Sequence, residues 1–208
     1  MRETESGLKE KLSHGLENLG LVLESTQVEQ LLHYLQLLQK WNAVYNLTAI
    51  TQPEAMLSHH LLDSLAIAPY ITAQAYLDVG TGAGLPGIPL AICFPEKKFT
   101  LLDSNSKKTS FLLEVVRQCG LKNVAVKHAR IESENLGTFD GVVSRAFSSL
   151  DAFVRVATPQ LKSGGILLAM KGPKVLEELN HFSGRYDLYP IAVPFLDEQR
   201  FICLIKVD

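Results

Sequence analysis

The sequence predicts an α/β fold: a mostly parallel, twisted sheet with helices on both faces, an antiparallel strand at its C-terminal edge, and a helical extension in front. Three observations predict it. From Ala75 onward, short apolar runs alternate with longer amphipathic segments, the pattern of a parallel sheet covered by helices. Before Ala75 the apolar residues recur only at helical spacing. Between the two regimes, the stretch from Leu77 to Gly87, LDVGTGAGLPG, places a glycine-rich turn directly after the first short apolar run.

Taken in order, the first element is a helix expected over Gly7–Leu19, ended by Gly20. The second carries Val28, Leu31, Leu32, Leu35, Leu38 and Trp41 on one stripe, and Thr26 with Glu29 reads as its capping box. TQPE at Thr51 to Glu54 starts a third, with proline in the first turn, running through MLSHHLLDSLAIAPY toward Pro69. Strands follow at AYLDVG, FTLLD, VAVKHA, FDGVVS and GILLAMK. The clearest intervening helix is SKKTSFLLEVVRQCG, with Phe111, Leu112, Val115 and Val116 on its apolar face and Gly120 at its end. YPIAVPFL and RFICLIKV form an antiparallel pair at one edge. The expected division is a helical cap over 1–72 and an α/β domain over 73–208.

Composition narrows the function classes. A chain of 208 residues that is 47% hydrophobic and 20% charged buries a sizeable core and is too short for two large domains. No apolar run approaches the ~20 residues a membrane span needs, and the start MRETESG lacks a signal-peptide core, so a cytoplasmic, membrane-free protein is expected. Cys93, Cys119 and Cys203 are odd in number, far apart and without a CxxC pair, which argues against a disulfide framework or a zinc site. The formal net charge of -2 excludes a globally basic nucleic-acid binder, so any such contact needs a local patch.

The glycine turn fits two templates. Gly82, Gly84 and Gly87 spell GxGxxG, with Asp103 about twenty residues on, as in a dinucleotide site. Asp78, Gly80, Gly82 and Gly84 spell DxGxGxG, which resembles the first motif of Rossmann-like methyltransferases that bind S-adenosylmethionine. Charge favours the second: a pyrophosphate is repelled by a nearby carboxylate, whereas a sulfonium and an ammonium are attracted to one. Pro86 adds to this by removing an N–H that a pyrophosphate would use. The alternative reading of Asp78 is a residue that caps the turn.

The acceptor atom is narrowed by what is missing. The fourth strand ends in SRAF, Ser144 to Phe147, instead of the DPPY-like motif of exocyclic-amine methylation, and no cysteine stands at a strand end as a nucleophile for pyrimidine C5. Guanine N7 carries a lone pair and no proton, so alignment suffices. Arg145 then donates to guanine O6 or a phosphate, or forms a structural ion pair; Phe147 stacks on a base, or packs in the core.

These blocks together, YNLTAI at Tyr45 to Ile50, HLLDSLAIAPY, LDVGTGAGLPGIPLAI, FTLLDSNSKK, FDGVVSRAFSSL and AMKG at Ala169 to Gly172, resemble in order those of the RsmG (GidB) family, the 16S ribosomal RNA guanine(527)-N7 methyltransferases. The resemblance covers nearly the whole chain. It implies a class I S-adenosyl-L-methionine-dependent fold and methylation of one guanosine in the 530 loop of small-subunit rRNA, in the free RNA or in a ribosomal particle. It also implies cofactor contacts at Gly80, Leu85, Ile131, Glu132 and Arg145, with Asp103 at the ribose hydroxyls and Ile131 and Glu132 along the adenine. One departure is His59, where many members of the family carry arginine, which bears on a backbone-phosphate contact there and not on the fold.

For RNA, the candidates are Asn46, His60, Lys107, Lys108, Lys171 and Arg200, with Arg117 and Lys174 completing an expected basic patch on the cofactor rim. His60, Asp63 and Ser64 share a helix face; it caps the mouth of the site or closes hydrogen bonds in the interdomain seam, and lacks the further ligands a metal needs. A monomer is expected. The alternatives are a nicotinamide-dependent oxidoreductase and a non-catalytic ribosome-assembly factor.

Overall fold

The computed structural model describes residues 2–132, 136–145 and 147–207. Two long helices open the chain, α1 (Arg2–Asn18) and α2 (Ser25–Tyr45). α1 ends on Gly20 at φ +67°, with Leu21 N–H returning to the Leu16 carbonyl. α2 starts earlier than the Thr26/Glu29 pair suggested: the Gln27 side chain accepts the Glu24 N–H at 2.9 Å, so a glutamine performs the reciprocal cap.

α3 (Pro53–Met56) begins with proline as expected, then passes through a π-helical segment, Leu57–Leu62, into α4 (Asp63–Leu65). The wider turn is a device often found at functional sites. Here it carries His59 and His60.

The strands are β1 (Ala75–Val79), β2 (Lys98–Asp103), β3 (Val124–His128), β4 (Phe139–Arg145), β5 (Leu161–Lys171), β6 (Arg185–Ile191) and β7 (Arg200–Lys206), in one sheet ordered β3-β2-β1-β4-β5-β7-β6. The first five pair in parallel and β7 runs antiparallel to both β5 and β6. Helices α5 (Gly87–Cys93), α6 (Ser106–Gln118), α7 (Leu150–Ala157) and α8 (Val175–Glu178) lie between them. The C-terminal strand is antiparallel as expected but stands one place in from the edge, which β6 forms. Burial explains the order: Phe201, Ile202, Cys203 and Ile205 of β7 are buried, whereas β6 is largely exposed.

Two apolar clusters flank the sheet. One runs without a break from Leu12 and Leu31 in the first two helices to Phe99, Phe111 and Leu112, across the expected division near residue 73. α2 packs on α5 and α6, and its Tyr34 hydroxyl donates to the Ala83 carbonyl at 2.7 Å. The helical segment therefore buttresses the glycine turn from behind. No helix among the described residues is long and apolar enough to cross a membrane.

Candidate functional site

Parallel strands β1, β2, β3 and β4 all end on one side, and α/β sheets present their ligand sites beyond those carboxyl ends. Two cavities open there. The first, about 430 Å³, is lined by Gly80 after β1, Asp103 and Ser104 after β2, Ala129 to Glu132 after β3, and Lys108 of α6. The second, about 330 Å³, is lined by His59, His60 and Asp63 of the α3–α4 segment, Arg145 of β4, Lys171 of β5 and Arg200 of β7. A larger cavity of about 760 Å³ lies between the start of α2, the end of α5 and Gly120–Ala125, at the opposite ends of the strands. Position selects the first two, not size.

In the first cleft the turn is strung between two aspartates with different jobs. Asp103 accepts from Gly82 N–H at 2.9 Å and from Asn105 N–H at 2.9 Å, with the Lys108 ammonium at 3.7 Å. Gly80 sits at φ +67° with open space where a Cβ would stand, so its backbone can be approached closely. Gly84, at φ +92°, is needed for packing instead: a Cβ there would come within 2.8 Å of Leu112 Cδ2 on α6.

Asp78 requires a correction. The sequence reading aimed its charge at the ligand, but the side chain is fully buried beneath the turn. One carboxylate oxygen accepts from the Thr81 hydroxyl at 2.7 Å and from Gly87 N–H at 2.9 Å; the other has no partner. Burial pushes its carboxyl up to about 6, against the pull of those hydrogen bonds. Asp78 is the turn-capping residue. The Leu85 side chain is buried in the core cluster, so only its backbone is available for the cofactor contact expected of it.

The second cavity is built around Asp63. Its two oxygens accept from Arg145 Nη1 at 3.2 Å and from Arg200 Nε at 3.1 Å, so one carboxylate bridges two guanidiniums from the ends of β4 and β7. Arg145 Nη1 also donates to the His59 carbonyl at 2.9 Å, and Arg200 Nη2 to Glu198 at 2.7 Å. His60 is only 4% exposed, with Nε2 on the Thr48 hydroxyl at 2.9 Å and Nδ1 unpartnered. Burial, then the nearby Arg145 charge, pushes its ring down to about 4, so it is neutral at physiological pH. Its expected contact with a polymer is corrected accordingly: the ring borders a cavity and is not offered to the surface. Ser64, expected on the same face, is fully buried, and its hydroxyl has no partner among the described residues.

The basic patch is more committed than its sequence suggested. Lys171 pairs with Glu178 at 3.0 Å and donates to the Phe147 carbonyl at 3.2 Å. Arg117 pairs with Glu114 near the far end of α6, away from both cavities, so it leaves the patch. Lys107, Lys174 and Asn46 are exposed. Phe147 is half-buried against Phe153, ring centroids 5.5 Å apart, and Ala146 beside it lies outside the described residues. Cys93, Cys119 and Cys203 are free thiols, each raised by burial to about 11, and none lines either cavity. No group of three or more His, Cys, Asp or Glu side chains among the described residues is arranged to hold a metal ion.

Asp63 was legible as part of a polar helix face, but its partners were not, because they come from residues about 80 and 140 positions away. Thr48, which orients His60, lies in a segment whose spacing carries no periodic signal.

Comparison with known proteins adds an independent line. A family model described as rRNA small subunit methyltransferase G matches residues 27–201. Proteins of that name are similar along nearly the full chain: one from Hydrogenovibrio crunogenus is 48% identical over 95% of this chain and 93% of its own length, and one from Francisella philomiragia is 46% identical over 96% and 98%. Among solved structures, a SAM-dependent methyltransferase from Aquifex aeolicus superimposes with a TM-score of 0.58 at 20% identity over 74% of this chain and 93% of that one. A precorrin-6y C5,15-methyltransferase from Geobacter metallireducens gives 0.54 at 14% identity, over 76% and 90%. At those identities the structures speak to the fold, which is the Rossmann-like one expected.

Proposed function

The chain belongs to the rRNA small subunit methyltransferase G family, and we propose that it transfers a methyl group from S-adenosyl-L-methionine to guanine N7 of 16S rRNA, at the guanosine of the 530 loop. The observation that carries this reading is the pair of cavities at the carboxyl ends of adjacent strands, one for each substrate.

The residues of the first cleft fit the methyl donor. Gly80 leaves a bare backbone in open space, the Asp103 carboxylate stands where two ribose hydroxyls can donate to it, and Ile131 with Glu132 lies along the wall after β3. When bound, S-adenosylmethionine supplies an electrophilic methyl group on a sulfonium. The protein's own task is then to hold and align. Gly82 and Asp103 keep the turn fixed to β2, and Tyr34 holds it from behind. Arg145 spends Nη1 on Asp63 and His59, leaving its other donors for guanine O6 or a phosphate. Phe147, anchored on Phe153, offers the exposed part of its ring to the base. Guanine N7 has no proton to surrender, so a neutral, buried His60 and, beside Arg145, an Asp63 carboxylate already bound to two guanidiniums are compatible with the reaction.

The reading includes a monomeric enzyme in the cytoplasm, where rRNA is made and modified. A dinucleotide-dependent oxidoreductase is the reading it competes with through GxGxxG. Titration of the protein with S-adenosylmethionine and with NAD(H) separates them: saturable binding of the first is expected, and Asp103→Ala should weaken it by roughly 10-fold or more, since a charge-assisted hydrogen bond and the tie to Gly82 are lost together. Binding of NAD(H) without S-adenosylmethionine would overturn the proposal.

A further inference from the structure

We infer that Tyr45, at the C-terminal end of α2, is a stacking platform for an unpaired RNA base next to the methylated guanosine; this rests on the functional reading above. Tyr45 is 42% exposed and its neighbour Val44 69% exposed, two large hydrophobic residues together on the surface. Tyr45 is not loose. Its ring packs on Trp41 at 5.2 Å, Trp41 on Phe111 of α6 at 5.6 Å, and Phe111 on Tyr34 at 6.3 Å, whose hydroxyl holds the glycine turn. An aromatic face held this firmly loses little freedom when a base lies on it.

Its location follows from helix register. α2 and α6 are antiparallel neighbours: His33 meets Gln118 at 3.2 Å, and eight residues on Trp41 meets Phe111. One more turn along each helix brings Tyr45 to the level of Lys107 and Lys108. Lys108 already lines the first cleft, while Lys107 is exposed and forms no ion pair among the described residues. Asn46 follows Tyr45 in the left-handed conformation, φ 51°, and is itself exposed. An aromatic face flanked by an unneutralised cation beside a reaction cleft matches single-stranded nucleic acid: bases stack on the ring and phosphates meet the ammonium. A guanine drawn out of its stack to reach a cavity leaves its neighbour with an uncovered face, and Tyr45 provides the replacement surface.

The test uses small-subunit particles from cells lacking this protein as methyl acceptor. Tyr45→Ala should raise the particle KM about 10-fold, with kcat and S-adenosylmethionine affinity little changed, and Tyr45→Phe should restore it. Lys107→Gln should lower the salt dependence of particle binding by about one contact. Emission of Trp41, the only tryptophan, should change when particles are added to the intact protein and not to Tyr45→Ala. An unchanged particle KM in Tyr45→Ala overturns the inference, as does a KM that rises in step with weakened cofactor binding, which marks structural support only. A wild-type protein that transfers no methyl to these particles fails the functional reading instead, and Trp41 emission then decides the role of Tyr45 alone.

Discussion

Asp63→Ala is expected to be among the most damaging single substitutions in the protein. It would remove the one carboxylate that accepts from both Arg145 and Arg200, leaving two guanidiniums, each with less than a quarter of its side-chain surface exposed, facing each other across a cavity. Removing one partner of a largely buried ion pair costs about 3–5 kcal/mol, because the remaining charge stays desolvated. Denaturant unfolding should show a loss of that order. Methyl transfer should fall further, on the order of 100-fold in kcat/KM, since Arg145, to which the proposed function gives the acceptor contact, loses its position. Asp63→Asn, which keeps one acceptor, should recover part of both. A stability loss below about 1 kcal/mol would mean that the two pairs behave as ordinary surface pairs and that the bridge is not what orients Arg145.

Asp78→Asn is expected to act in the opposite direction. The folded-state carboxyl titrates near 6 and its ordinary value is 3.8, so folding favours the protonated form. The stability contributed by this group is present below pH 4 and is lost as pH rises from about 4 to about 6, leaving a penalty near 3 kcal/mol at neutral pH. An asparagine retains an oxygen for the Thr81 hydroxyl and Gly87 N–H without the buried charge. The variant should be more stable than the parent at pH 7.5, with a margin that shrinks as pH falls toward 4. Paired unfolding curves across that range check this. A variant less stable at pH 7.5, by an amount that does not change with pH, would show that the ionised carboxylate is itself a structural requirement.

The same aspartate shows how far the sequence could be read. DxGxGxG located the turn, the strand before it and the side of the sheet that matters, because glycines at positive φ and acids at strand ends leave local marks. The letters could not reveal which way a side chain points once the chain turns, and Asp78 turned inward while Asp103 stayed at the cleft. The first five strands and the last were legible for a similar local reason, apolar runs of strand length, whereas the strand expected over YPIAVPFL lies earlier, at Arg185–Ile191, where exposed residues leave no apolar run to mark it. The placement of β7 inside β6 depends on which strand has both faces covered, and the near-continuous apolar run RFICLI marks β7 as that strand. The Arg145–Asp63–Arg200 bridge joins three distant segments and had no local signature. The basic patch shrank because charges that look alike in sequence differ in their partners: Lys171 is spent on Glu178, whereas Lys107 is free of ion pairs among the described residues.

The measurement that bears most directly on the account is transfer of a labelled methyl group from S-adenosylmethionine to small-subunit rRNA from cells lacking this protein, supplied naked and as particles, with the product mapped by cleavage at N7-methylguanosine. The account predicts label at a single guanosine in the 530 loop, on at least one of the two forms. Label at another nucleotide or another atom, or none on either form from a protein that binds the cofactor, would contradict it.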